Sequence, residues 1–146
     1  MVAIIKKVKA KELFMGRLDH GADLLEGITD ICQKNKIQLG RVEAIGAVQK
    51  ARLAFYNQKT FEYHFFTVDE PLEILKLIGN ISLKDGNPFV HAHVTLADKT
   101  GAVYGGHLTT GTIIFACEFI IESIVGASFE RKFDEETHLP LWAMIK

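Results

Sequence analysis

NPFVHAHVTLADKTGAVYGGHL, residues 87–108, decides how this chain is read. His91 and His93 lie two apart, so on a β-strand they point the same way, while Ala92, Val94 and Leu96 alternate to the opposite, apolar face. The segment ADKTGA then reads as a hairpin connection. If Lys99, Thr100 and Gly101 form a three-residue loop with Gly101 in the left-handed conformation, Asp98 pairs with Ala102 and, counting back, His93 faces His107. Directly opposed residues have Cβ atoms roughly 5 Å apart. Metal–imidazole bonds of about 2.0–2.1 Å then let both rings reach one ion, with His91 joining from two residues along. A four-residue loop would instead pair Ala97 with Ala102 and turn His107 to the other face. Spacing alone leaves both registers open.

An H-x-H pair is weak evidence, since alternating polar residues on an exposed sheet face produce it by chance; a third histidine sharpens it. The alternative is three solvent-facing histidines that never share an ion. Against it, Phe89, Val90, Val94, Leu96, Val103 and Leu108 place the hairpin in the body of a sheet. Gly105 and Gly106 mark a strand that something approaches closely, or one that bulges. Three neutral imidazoles suit Zn2+ and leave a fourth coordination position open. Such an ion can polarise a carbonyl oxygen or acidify a bound water, but no general base is visible. Glu118 interrupts an apolar strand face, Ile114, Ala116, Ile120, and needs a partner there. It is read either as an acceptor for the N–H of a ligating imidazole or as an ion-pair partner of Arg131 or Arg52.

The chain has 146 residues, enough for one domain spanning 1–146 with an ordinary core. It is 48% hydrophobic and 24% charged, with Lys+Arg 17 against Asp+Glu 18 and a net charge of −1. That balance provides no general attraction to phosphate backbones. Lys6, Lys7, Lys9 and Lys11 are a local exception, read as guards on a solvated strand edge. No segment reaches the roughly 20 apolar residues of a membrane span, and MVAIIKKVKAK lacks the form of a secretory signal. The expected location is the cytoplasm, with no membrane partner. Cys32 and Cys117 are far apart and read as buried, reduced thiols.

Elsewhere IIKKVKAKELFMGRL reads as two β segments before the turn Asp19-His20-Gly21. From Ala22 to about Asn35, Leu24, Leu25, Ile28, Ile31 and Cys32 recur at helical spacing, with Asp23 at the N-terminal end and Lys34 and Lys36 at the other. Strand signals dominate the rest: RVEAIGAVQKARLAFYN with a bend or bulge at Gly46, FEYHFFTV, LEILKLIGNISL, TIIFACEFIIESIV and a final ASFERKF. Pro71 could open a second helix through Leu72, Leu75 and Ile78, although a strand is preferred. His20, His64 and His138 are read as exposed. The expected class is α+β: a single, largely antiparallel sheet with one or two packed helices.

Taken in order, these segments resemble a plant-and-prokaryote-conserved (PPC) domain from about Leu18 to Leu141. The resemblance rests on Gly21-Ala22-Asp23-Leu24, Ile45-Gly46-Ala47, Glu73-Ile74-Leu75 with Gly79-Asn80-Ile81, and Asp85-Gly86 before His91-Ala92-His93. Gly105-Gly106-His107-Leu108 and Glu118 complete it. It implies a compact α+β domain that assembles as a homotrimer, with a metal, usually zinc, held at His91, His93 and His107. It implies no settled activity. Prokaryotic members carry a DNA-binding label by association with plant proteins, in which a separate Arg-Gly-Arg-Pro segment holds the minor groove; this chain has no such segment. Of the plant partner-binding motif Gly-Arg-Phe-Glu-Ile-Leu it keeps only Glu73, Ile74 and Leu75. The fold is also similar to that of acetolactate decarboxylase, whose zinc sits on three histidines, an analogy of fold that suggests metal-assisted carbonyl chemistry and no catalytic residues. The leading expectation is a trimeric, zinc-binding module with room for a small-molecule ligand at the metal. A zinc-dependent enzyme acting on a small carbonyl or carboxylate compound and a DNA-binding protein are the alternatives, and whether the chain is an enzyme stays open.

Overall fold

Leu24, Ile28 and Cys32 are wholly buried and form the inward stripe of helix α1 (Leu24–Lys34). Asp23 caps it: one carboxylate oxygen accepts from the backbone N–H groups of Leu25 and Glu26, both at 3.0 Å, and the other accepts from Gly111 N at 2.6 Å. A single side chain thus supplies the helix start with an acceptor and ties it to the turn before a distant strand.

The computed structural model describes residues 5–143, and among these strands hold 62% and the one helix 8%. The strands are β1 (Lys9–Leu18), β2 (Gly40–Asn57), β3 (Glu62–Val68), β4 (Leu72–Lys84), β5 (Asn87–Ala97), β6 (Val103–Leu108), β7 (Ile113–Val125), β8 (Glu130–Phe133) and β9 (Pro140–Trp142). They form one sheet in the order β1-β7-β2-β6-β5-β4-β8-β9, with β3 on β2. The expected α+β class is therefore corrected to a mostly β fold with one helix. The second helix that Pro71 offered is not formed, and the preferred strand, β4, stands there. Leu72 and Ile74 point inward, but the register shifts between Ile74 and Lys76, so the next inward residue is Leu77, three positions on. That spacing of three mimics a helical repeat, whereas the backbone is a bulged strand paired with β5 and β2.

The 18-residue β2 organises the sheet. Its first half pairs with β4 and β7 and its second with β3 and β6, so β2, β4, β5 and β6 close a circuit of pairings. Gly46 stands at the bend, with φ 145° and no room for a Cβ against the Ala116 carbonyl, as expected from its place in the strand. Val42, Val48, Leu53, Leu77, Ile81, Leu96 and Leu108 fill the inner face beside the helix stripe. The region before the first turn is one strand from Lys9, irregular between Ala10 and Glu12, rather than two segments; residues 1–4 of that expectation lie outside the described residues. The final strand is shorter than expected, and β9 folds back on it. Among the described residues no helix is long and apolar enough to cross a membrane.

Candidate metal centre

The loop after β5 sets the site. Gly101 has φ 82° and donates its N–H to the Asp98 carbonyl at 2.9 Å, while Asp98 N–H donates to the Ala102 carbonyl at 3.0 Å. The Asp98 carboxylate accepts from Thr100 N, Thr100 Oγ1 and Ala102 N at 2.8, 2.6 and 3.1 Å, which pulls its pKa below the usual carboxylate range. The result is the three-residue loop, with Ala97 opposite Val103 and His93 opposite His107. Burial holds this register as firmly as the loop does: Leu96 and Leu108 are sealed in the core, and a slip of one residue would turn β6 over and expose Leu108.

The three imidazoles meet on the outer face of the β5–β6 hairpin. Ring centroids are 5.1 Å apart for His91–His93 and His91–His107 and 5.6 Å for His93–His107, and one ligand nitrogen from each lies within 4.8 Å of the others. His91 and His107 are half-buried and His93 is exposed. Burial, reinforced by His107, Arg131 and His93, pushes the His91 pKa down to about 4. His107 is lowered by burial, then by His93 and Arg131. Both rings are therefore neutral at pH 7 with a lone pair to offer. Neutral nitrogen donors converging on one point are what a divalent transition metal requires, so the side chains fit such an ion.

The histidines line a cavity of about 670 Å³. Tyr63 of β3 lies over one side, its ring centroid 5.2 Å from that of His107. Tyr56 of β2 donates its hydroxyl to the Thr137 carbonyl at 2.7 Å and so fastens the chain between β8 and β9 to β2. Arg131 of β8 reaches in from the opposite side. It is 7% exposed, and donates to Ser82 Oγ at 2.9 Å, Pro140 O at 2.9 Å and Asn80 Oδ1 at 2.7 Å. These wall residues carry no local motif. Tyr63 reads from sequence as one member of an alternating strand, and Arg131 as a candidate partner of Glu118.

Glu118 itself is exposed on β7, opposite Arg17 and Ile45, and is not among the side chains gathered around the histidines. Arg52 is also elsewhere, over the Phe65 ring and near Thr109. His20, His64 and His138 are exposed, with His138 stacked on Phe61 at 4.2 Å. Gly105 and Gly106 do mark a close approach, but by neighbouring strands: a Cβ at Gly106 would stand 3.0 Å from the Ala54 carbonyl of β2, and one at Gly105 3.3 Å from Val94 O.

Residues 5–125 match the sequence profile of the Plants and Prokaryotes Conserved (PCC) domain. A metal-containing protein of Archaeoglobus fulgidus is 41% identical, with a TM-score of 0.92 over 97% of this chain and 100% of that one. A plant- and prokaryote-conserved protein of Pyrococcus horikoshii is 32% identical, with a TM-score of 0.92 over 99% of each chain. The bifunctional protein GlmU of a Synechococcus strain is 33% identical over 83% of this chain, which spans only 18% of that relative's length. Two remoter likenesses speak for the fold alone. A candidate DNA-binding protein of Bacteroides thetaiotaomicron is 24% identical (TM-score 0.84, 93% and 96% of the two chains), and acetolactate decarboxylase of Bacillus subtilis is 14% identical (TM-score 0.52, 81% and 55%).

Proposed function

The chain belongs to the Plants and Prokaryotes Conserved domain family, the PPC domain of the resemblance above, and from that premise we propose that it is a metal-binding module whose His91, His93 and His107 hold one divalent ion. Zinc suits the donor set best, because three neutral imidazoles with an open fourth position match its preferences. The convergence of three ligand nitrogens within 4.8 Å on one rigid hairpin carries this reading. The metal content of the Archaeoglobus relative supports it. Elemental analysis of protein purified without a histidine tag tests it: one ion per chain is expected, lost in His91→Ala together with the thermal stabilisation the ion supplies. Metal-free protein whose melting temperature ignores added zinc would overturn it.

Residues 1–146 form one such domain in this reading, and it works as a homotrimer. Its support is an apolar outer face of the sheet, where Met15 is 75% exposed, Ile45 57%, Leu75 50% and Ile120 42% around a depression of about 700 Å³. Exposed apolar patches of this kind mark association surfaces. Light scattering should give three times the 16.3 kDa of one chain. A monomer at micromolar concentration would refute the trimer. The free, buried thiols Cys32 and Cys117 fit a cytoplasmic location.

A second reading, a zinc-dependent enzyme on a small carbonyl or carboxylate compound, is favoured by the open cavity over the histidines. When bound, the ion would supply Lewis acidity there; Tyr63 and Arg131 would orient what enters, and the walls would limit water. DNA binding has the weaker support, given a net charge of −1. If it occurs, duplex retention at low salt should vanish steeply as salt rises.

A further inference from the structure

Arg131 is a cation placed where cations are rarely left without an anion. The residue is 7% exposed, yet each of its three side-chain hydrogen bonds goes to a neutral acceptor, on Ser82, Asn80 and Pro140. The ion pairs among the described residues, Lys11–Glu12 and Arg41–Glu122, lie elsewhere. The cavity it lines also receives Lys84 and the three histidines, and among the described residues no Asp or Glu contributes to its wall. Removing a guanidinium from water is costly unless a counter-charge stands beside it. Five N–H donors less three leaves one on Nη1 and one on Nη2, and the Phe89 and Trp142 ring centroids lie 5.2 and 5.8 Å from Cζ.

We infer that this cavity takes a small organic carboxylate, whose two oxygens engage the free N–H pair of Arg131 while its body lies towards the histidines. One N–H on each Nη offers a carboxylate a donor for each of its two oxygens. A phosphate would ask for more donors than one guanidinium has free. The rest of the wall, Phe89, Tyr56, Tyr63 and the Leu139–Leu141 stretch, is aromatic and aliphatic, which suits a carbon skeleton. At about 670 Å³ the cavity lies within the usual range for small-molecule sites, roughly 300–1,000 Å³. The anchoring depends on Arg131 alone. Placement of the body at a metal rests on the reading of the histidines given above.

Trp142 makes this measurable. It is the chain's one tryptophan, its indole N–H donates to the same Ser82 Oγ that accepts from Arg131 at distances of 3.0 and 2.9 Å, and its ring flanks the guanidinium. Zinc-loaded and chelator-treated protein are titrated with acetate, pyruvate and benzoate, each beside its neutral amide, and with inorganic phosphate, following Trp142 fluorescence. At least one carboxylate should bind tenfold or more tightly than its amide, and Arg131→Gln should lose that preference with zinc content unchanged. If Arg131→Gln fails to fold, Arg131→Lys, which keeps the charge without the fork, should weaken the carboxylate several-fold. Equal affinity for acids and amides, no response to any of the three acids, or phosphate bound more tightly than all of them would each overturn the inference. Failure of the metal reading has a different signature: no zinc uptake, with the acid-over-amide preference intact in chelator-treated protein.

Discussion

Replacing Gly79 by alanine tests whether the sheet is packed as tightly behind the histidines as the geometry demands. Gly79 of β4 lies opposite Ala92, the residue between His91 and His93. A Cβ there would stand 2.5 Å from the His91 carbonyl oxygen, 2.8 Å from the Ala92 Cβ and 3.0 Å from its Cα. Two of these atoms are backbone, so no rotamer change relieves the clash, and β4 and β5 must part by something under an ångström. Overpacking of this kind costs about 1–3 kcal/mol, and the lower backbone entropy of alanine in the unfolded chain returns about 0.5–1 kcal/mol. A contact of 2.5 Å with a backbone oxygen puts the cost at the upper end, so the net expectation is a loss of about 2 kcal/mol, or roughly 4–8 °C in melting temperature for a chain of this size. Gly105→Ala is the milder comparison, because its Cβ meets a single atom, Val94 O at 3.3 Å, and asks for a shift of only a few tenths of an ångström on an exposed stretch of β6. It should change stability by no more than about 0.5 kcal/mol. Thermal and urea unfolding of the three proteins, at one concentration and without metal, give the answer. A Gly79→Ala protein as stable as its parent, or two variants equally weakened, would refute the steric reasoning.

Three further outcomes are expected. Asp23→Ala should cost about 1–2 kcal/mol in urea unfolding, because it removes the α1 cap and the acceptor of Gly111 N together; an unchanged midpoint would contradict that double role. In chelator-treated protein, His91 of the unfolded chain takes up a proton below pH 6.5, while the folded chain refuses it until about pH 4. Stability therefore falls as pH drops through that window, with the full contribution present above 6.5. Screening at a partly open ring trims the loss to about 1–2 kcal/mol, read as the difference between wild type and His91→Gln at pH 7 and pH 4.5; parallel curves would count against it. Finally, burial pushes the Cys32 thiol up to about 12 and, with Glu118 adding to it, Cys117 up to about 11. A thiol reagent at pH 8 should find neither in the native protein and both in denaturant, and prompt native labelling would show that one is accessible.

The histidine hairpin was the most legible part of the chain because every determinant is local. Lys99, Thr100 and Gly101 make the loop and Leu96 and Leu108 mark the inner face; spacing alone left two registers open, and the three-residue loop is the one that forms. The helix was legible for the same reason, through its stripe and Asp23. β4 was read as a strand, as it is, but a bulge at Leu75 converts a two-residue repeat into a three-residue step that also fits a helix, and a single sequence offers no marker for a bulge without glycine. The cavity walls were invisible for a different reason. Tyr63 and Arg131 are 68 residues apart by number and face each other only because β3 sits on β2 while β8 runs parallel to β4. No periodicity within either strand carries that information. Glu118 drew attention as a carboxylate on an apolar face, but the face is the outer one, shared with Ile45 and Ile120.

The placement of the three imidazoles on one hairpin has a consequence in time. They span 17 residues and need only the loop and two strands to come together, whereas Arg131 arrives 24 residues later and requires β4 to be in place before β8 can dock. On a chain emerging from its N-terminus, the grip is complete before the chamber around it exists. If the histidines hold an ion as proposed, their ligand set is complete within β5 and β6, while the cavity wall over it also needs the C-terminal hairpin. Holding the ion and walling it in are thus assigned to different stretches of chain, and a truncation after β7 is expected to keep zinc uptake while losing the Arg131 wall.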